Sequence, residues 1–90
     1  MRPKITHVAI RFHGVTYALP APNRHHHIIG HIVRTTDHAR VDAREDDQGF
    51  LDEAGSYLTR RQALISALEN NQVKQPENVR HEMLFSEDVW

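Results

Sequence analysis

Ninety residues suffice for one domain, spanning 1–90, and leave little room for a large enclosed active site. With 39% hydrophobic and 26% charged residues the composition is that of a globular chain, neither disordered nor membrane-embedded, and no apolar run approaches the roughly 18 residues that span a bilayer. The absence of cysteine excludes disulfides, thiolate zinc sites and a cysteine nucleophile, and a formal net charge of -1 gives no general pull toward nucleic acid or an anionic membrane.

Met1-Arg2-Pro3-Lys4 is not followed by a signal-peptide core, so the expected compartment is the cytoplasm. No cofactor and no membrane partner are expected. A homo-oligomer stays open as a further source of stability. The eight histidines stand out, because an unperturbed imidazole titrates near pH 6.5 and mild acid would make the chain several charges more positive.

In chain order, Ile5 to Phe12 alternates, with Val8, Ile10 and Phe12 on one face, as a half-buried strand requires. His13-Gly14 reads as a hairpin turn into a second strand, Val15 to Leu19, which Pro20-Ala21-Pro22 stops. Asn23 is an apt N-cap, and Ile28, Ile29, Ile32 and Val33 recur at helical spacing, predicting a helix from Arg24 to Arg34. Thr35 to Asp47 reads as a polar connection with room for a short strand at Ala39 to Val41. Gln48 to Leu51 and Ser56 to Leu58, joined by a turn at Asp52 to Gly55, suggest a second hairpin.

Thr59-Arg60-Arg61-Gln62 is a Thr-x-x-Gln capping box, stapled by Leu58 and Ala63, so a second helix begins there. Ala63, Leu64, Ala67 and Leu68 form its buried stripe and Asn70-Asn71 its end. Lys74 to Glu82 reads as a loop and Met83-Leu84-Phe85 as a last strand. Phe12, Tyr17, Phe50 and Phe85 are expected in the core. The fold class that follows is α+β, two hairpin-and-helix units forming a small antiparallel sheet with both helices packed on it.

At about 100° per residue, the first helix divides its histidines. Arg24, His27, His31 and Arg34 share a polar stripe, whereas His25 falls among Ile28, Ile29 and Ile32, with His26 at the edge beside Val33. His25 is therefore either a hydrogen-bonded core residue or a functional one. The helix macrodipole favours acidic side chains in a first turn and disfavours cations by roughly 0.3–1 kcal/mol each. Both helices break this rule: one opens Asn23-Arg24-His25-His26-His27 and the other Thr59-Arg60-Arg61, with no acid in either first turn. A bound phosphate or carboxylate would resolve the conflict, and exposed arginines splaying into water would also relieve it.

His27 and His31, four apart, have the spacing to share a metal ion, with Asp37 or His38 as further ligands, but the glutamate of a zincin motif is missing and no native metal is expected. A phosphoesterase with His25 or His26 as general acid or base, Arg24 and Arg60 steadying charge and Asp52 or Glu53 orienting the imidazole is a second use of these residues. No Gly-x-Ser-x-Gly, P-loop or Gly-x-Gly-x-x-Gly motif supports turnover. Glu45-Asp46-Asp47 and Glu87-Asp88 read as solvated surface, or alternatively as a mimic of nucleic-acid phosphates or a patch for a basic partner. Trp90 either packs back on the domain, anchors a second subunit or stacks on a ligand base.

Arg24-His25-His26 after a proline-containing hairpin exit, Gln48-Gly49-Phe50-Leu51-Asp52 with Gly55, Tyr57, Arg60 and Ala63, then Gln72 and Leu84-Phe85-Ser86-Glu87-Asp88-Val89-Trp90, together resemble small uncharacterised proteins encoded by bacteriophages and prophages. The resemblance carries no catalytic assignment. It implies a phage accessory protein in the bacterial cytoplasm with an anti-defence role, either binding a host defence protein or sequestering a nucleotide signal. The resulting expectation is a binder, without turnover, of an anionic, phosphate-bearing small molecule such as a nucleotide. Its ligand set is Arg24, His25 and His26 from one helix, Arg60 or Arg61 from the other, and Tyr57 or Trp90 stacking on a base. A protein–protein inhibitor or adaptor acting on a host protein is the principal alternative.

Overall fold

The computed structural model describes residues 2–36, 44, 47–79 and 82–90. Its first element is the strand β1 (Ile5–Phe12), which pairs antiparallel with β2 (Val15–Pro20) through a two-residue turn. His13 at φ 51° and Gly14 at φ 76° both occupy the left-handed region, the conformation whose twist matches the flanking strands. The chain then forms α1 (His25–Thr35), β3 (Gln48–Asp52), β4 (Tyr57–Thr59), α2 (Arg60–Glu69), a single 3-10 turn at Pro76–Asn78, and the short helix α3 (Ser86–Val89). The fold is α+β, with a four-stranded antiparallel sheet in the order β2-β1-β3-β4.

Alternation along the strands decides which face is covered. Val8 lies between Leu19 and Phe50, and Phe50 is opposite Leu58, so these side chains share the face that receives the helices. α1 lies over β1 and β2, and α2 over β3 and β4. Ile28 and Ile32 from α1 and Ala63, Leu64 and Ala67 from α2 join Val8, Ile10, Phe12 and Phe50 in one buried cluster. Tyr17 is half-buried at its edge. His7, Ala9, Arg11, Gly49 and Tyr57 belong to the opposite face.

Both helix stops and starts are local. Thr59 Oγ1 accepts from the Gln62 N–H at 3.3 Å and Gln62 Oε1 from the Thr59 N–H at 3.0 Å, which completes the capping box read from the sequence. Asn71 ends α2 in the left-handed region at φ 56°. α1 begins one residue later than its sequence signal, with Arg24 rather than Asn23 at the N-cap. Asn23 is engaged elsewhere: its main-chain and side-chain nitrogens both donate to the Pro20 carbonyl, at 3.0 and 2.8 Å, closing the turn that leaves β2.

The tail departs most from the sequence reading. Met83 makes an isolated bridge, and Leu84-Phe85 do not continue as a strand. Leu84 is fully buried in the core while its N–H donates to the Arg60 carbonyl at 3.0 Å, so this segment docks on the start of α2 instead of adding to the sheet. Phe85, expected in the core, is only half-buried. The possible strand at Ala39 to Val41 and the candidate ligands Asp37 and His38 lie outside the described residues.

Candidate functional site

The two helices begin against adjacent residues of β3. His25, the first residue of α1, is buried at 7% exposure, and its Nε2 donates to the Gly49 carbonyl at 2.8 Å. Its ring meets Phe50 edge to face at 5.1 Å. Arg60, the first residue of α2, reaches the neighbouring Gln48, with Nη2 donating to Oε1 at 3.3 Å. Gly49 is itself paired with Thr59, the N-cap of α2. The reversed helix starts therefore converge.

Glycine is required where they meet. A methyl group at Gly49 would overlap the Leu58 carbonyl oxygen and come within 2.8 Å of the Tyr57 hydroxyl. This close approach lets β4 and Tyr57 lie tight against β3 on one side while the Gly49 carbonyl receives His25 on the other.

The space beside the helix starts is filled by residues 84–90. Arg60 lays its guanidinium over the Phe85 ring at 4.6 Å. Arg24 Nη2 donates to the main-chain oxygen of Trp90 at 2.6 Å, and Nη1 stands 3.8 Å from Glu87. In return the Trp90 indole donates to the Asn23 carbonyl at 2.6 Å and presents its ring to Phe50 at 6.3 Å. Asp88 caps α3 by accepting the Phe85 N–H at 2.9 Å. Of the acidic pair Glu87-Asp88, read from sequence as solvated surface, Glu87 is 67% exposed and also serves as the chain's own counter-charge to Arg24 at the start of α1.

Burial sets the charge of His25. Its pKa is lowered from 6.5 to about 4, chiefly because a buried imidazolium loses its hydration, while the Gly49 carbonyl opposes the shift, the Arg60 charge adds to it and Glu87 opposes it. His25 is therefore neutral at physiological pH, with its Nε2 proton engaged by a carbonyl. Of the two readings open to it, the structure displays the hydrogen-bonded core residue.

The remaining expected ligands are dispersed. His26 is exposed at the start of α1, and Arg61 is exposed on α2. Tyr57 is on the sheet face away from the helices, where Arg11 covers its ring at 4.2 Å and burial pushes its hydroxyl pKa up. Asp52 is no partner for His25: its Oδ1 accepts the N–H groups of Ala54 and Ser56 at 2.9 and 3.0 Å and so closes the β3–β4 turn. No group of three metal-ligating side chains occurs among the described residues.

The sequence offers His27 a place on the wet stripe or a metal ion shared with His31. Its Nδ1 in fact accepts the Arg24 N–H at 2.8 Å, the job a glutamate or glutamine does in a capping box. The signal was its position three residues after the N-cap. Gly49 and the 84–90 segment had no such local signal, because both act on residues far away in the chain.

Residues 4–90 match the sequence family described as Phage T4 y16D protein. The chain belongs to this phage protein family. Membership covers both helix starts, β3 and the docked tail, so the whole junction lies within the family's extent. No curated protein and no solved structure matches the chain. Among the described residues no helix is long and apolar enough to cross a membrane.

Proposed function

We propose that this phage protein acts by binding, without turnover, and that its ligand is a phosphate-bearing small molecule such as a nucleotide, taken up in the bacterial host cytoplasm as an anti-defence measure. The observation that carries this reading is the convergence of two helix starts, both lacking acidic residues, on Gln48 and Gly49. A phosphate would replace Glu87 and the Trp90 main-chain oxygen as the partner of Arg24, with the exposed His26 beside it and Arg60 across the junction. Trp90, whose indole donates to the Asn23 carbonyl, would flank a base. His25 serves this site as a post that ties α1 to β3, since its proton is already engaged.

Calorimetry against a panel of nucleotides and cyclic nucleotides tests the reading. Binding should weaken as salt rises and fall at least about ten-fold in Arg24→Ala, the loss of one charge-assisted hydrogen bond. Failure of every member of the panel to bind, or unchanged affinity in Arg24→Ala, would reject it.

A second reading, a protein–protein inhibitor or adaptor, is favoured by the outer face of α2. Ile65 is 49% exposed there and Leu68, expected in the buried stripe, is 46% exposed, its place in the stripe being taken by Ser66; Ile65 also lines an open cleft with Pro3, Leu58 and Gln62. Recovery from host lysate of one stoichiometric partner, lost in Ile65→Asp, together with no nucleotide binding, would select it.

A further inference from the structure

The two edges of the sheet are finished differently. β4 is three residues long and runs directly into α2 at Arg60, which leaves little edge to extend. β2 has six residues, and among the described residues only β1 pairs with it. Val15 to Pro20 contains no charged side chain, its register with β1 is unbroken, and its proline comes at the end. Natural edge strands prevent pairing with another chain by charged side chains, bulges or a proline within the strand, and none of these occurs from Val15 to Leu19.

The hairpin turn decides which main-chain groups face outward. A two-residue turn makes Phe12 and Val15 a hydrogen-bonded pair, and the alternation continues through Ile10 with Tyr17 and Val8 with Leu19. The Ala21 N–H, donating to the Thr6 carbonyl at 3.1 Å, keeps the same phase beyond the strand. Val15, Tyr17 and Leu19 are therefore bonded toward β1, and the N–H and C=O groups of Thr16 and Ala18 point away from the sheet. Pro20 ends the series, having no N–H and a carbonyl already used by Asn23.

This outward row of partial charges reads the same in both directions about Tyr17, so a second copy turned through a two-fold axis presents each N–H to a C=O. The side chains agree with that arrangement. Val15 is 49% exposed, while Tyr17 and Leu19 are half-buried at the rim of the core. An apolar strip thus runs along the helix side of the open edge.

We propose that β2 is a self-association edge, on which two copies pair antiparallel with Thr16 opposite the partner's Ala18 and Tyr17 opposite the partner's Tyr17. The two sheets become one continuous sheet. Tyr17 sits on the two-fold axis at a non-hydrogen-bonded position, where facing Cβ atoms approach to about 4.5–5.5 Å, and Val15 packs against the partner's Leu19. The interface is isologous and closes at two copies.

The register has a direct test, because the chain contains no cysteine. Tyr17→Cys under mild oxidation should form a disulfide-linked dimer roughly a thousand-fold faster than Lys74→Cys, since pairing holds the two thiols at an effective concentration near millimolar instead of micromolar. Thr16→Lys with Ala18→Lys sets like charges opposite each other across the dimer, and should shift the chain to monomer in sedimentation equilibrium with an unchanged circular dichroism spectrum. Sedimentation of the unmodified chain as a monomer at all concentrations would overturn the proposal, whether or not a foreign strand binds β2. Equal crosslinking rates for the Tyr17→Cys and Lys74→Cys variants would overturn it too.

Discussion

Arg24 and Trp90 are joined by a reciprocal pair of contacts, the Arg24 guanidinium donating 2.6 Å to the Trp90 main-chain oxygen while the Trp90 indole donates 2.6 Å to the carbonyl of Asn23, next to Arg24 in the chain. The cationic start of α1 and the residues around α3 hold each other in place. A charge pattern that suggests an external anion when read in sequence is answered within the fold, so any anionic ligand has to compete with Glu87 and this main-chain oxygen.

Trp90 is the only tryptophan, which makes its fluorescence a reporter of that junction. Arg24→Ala should shift its emission to the red and raise its accessibility to iodide, as the ring loosens from Phe50. A nucleotide that displaces Glu87 and the main-chain oxygen should shift it in the wild-type chain as well. Unchanged emission and quenching in Arg24→Ala would show that Arg24 does not hold the segment.

His25 makes stability depend on pH in a definite direction. Its folded pKa of about 4 lies below the ordinary 6.5, so between these values the unfolded chain binds the extra proton and acid favours unfolding. The stabilisation is fully present above pH 6.5 and is lost as pH falls toward 4, amounting to about 3 kcal/mol over the window. Urea unfolding of the wild type and of His25→Gln, which cannot titrate, measures the difference. The variant should be less stable at neutral pH but flatter between pH 6.5 and 4, and parallel curves would refute the assignment.

Gly49→Ala should destabilise the fold by about 1–3 kcal/mol or more, because the new methyl overlaps main chain, which cannot rotate away as a side chain does. The strand β4 and the Tyr57–Arg11 stack bear the displacement. Thermal unfolding followed by circular dichroism checks the size. Gly14→Ala is the contrast: it has no neighbour within 4 Å, so its cost arises only from the positive φ.

The sequence by itself determined the elements whose causes are local. Period-2 alternation marked β1, His13-Gly14 marked the turn, Thr59 and Gln62 marked the start of α2, and helical spacing placed His25 among the isoleucines. Each signal lies within a few residues of its effect, where hydrogen-bond reach and side-chain direction are fixed by backbone periodicity. The tertiary structure decided everything that couples distant residues: that both helices begin at Gln48 and Gly49, that the proton of His25 goes to a carbonyl 24 positions away, and that Glu87 and Trp90 answer the charge of Arg24. It also sent Tyr57 to the opposite face from Trp90, separating two aromatics that the sequence left as equal candidates. Composition shows that charges of both signs are present. Only packing brings particular charges close enough, and dry enough, to select their partners.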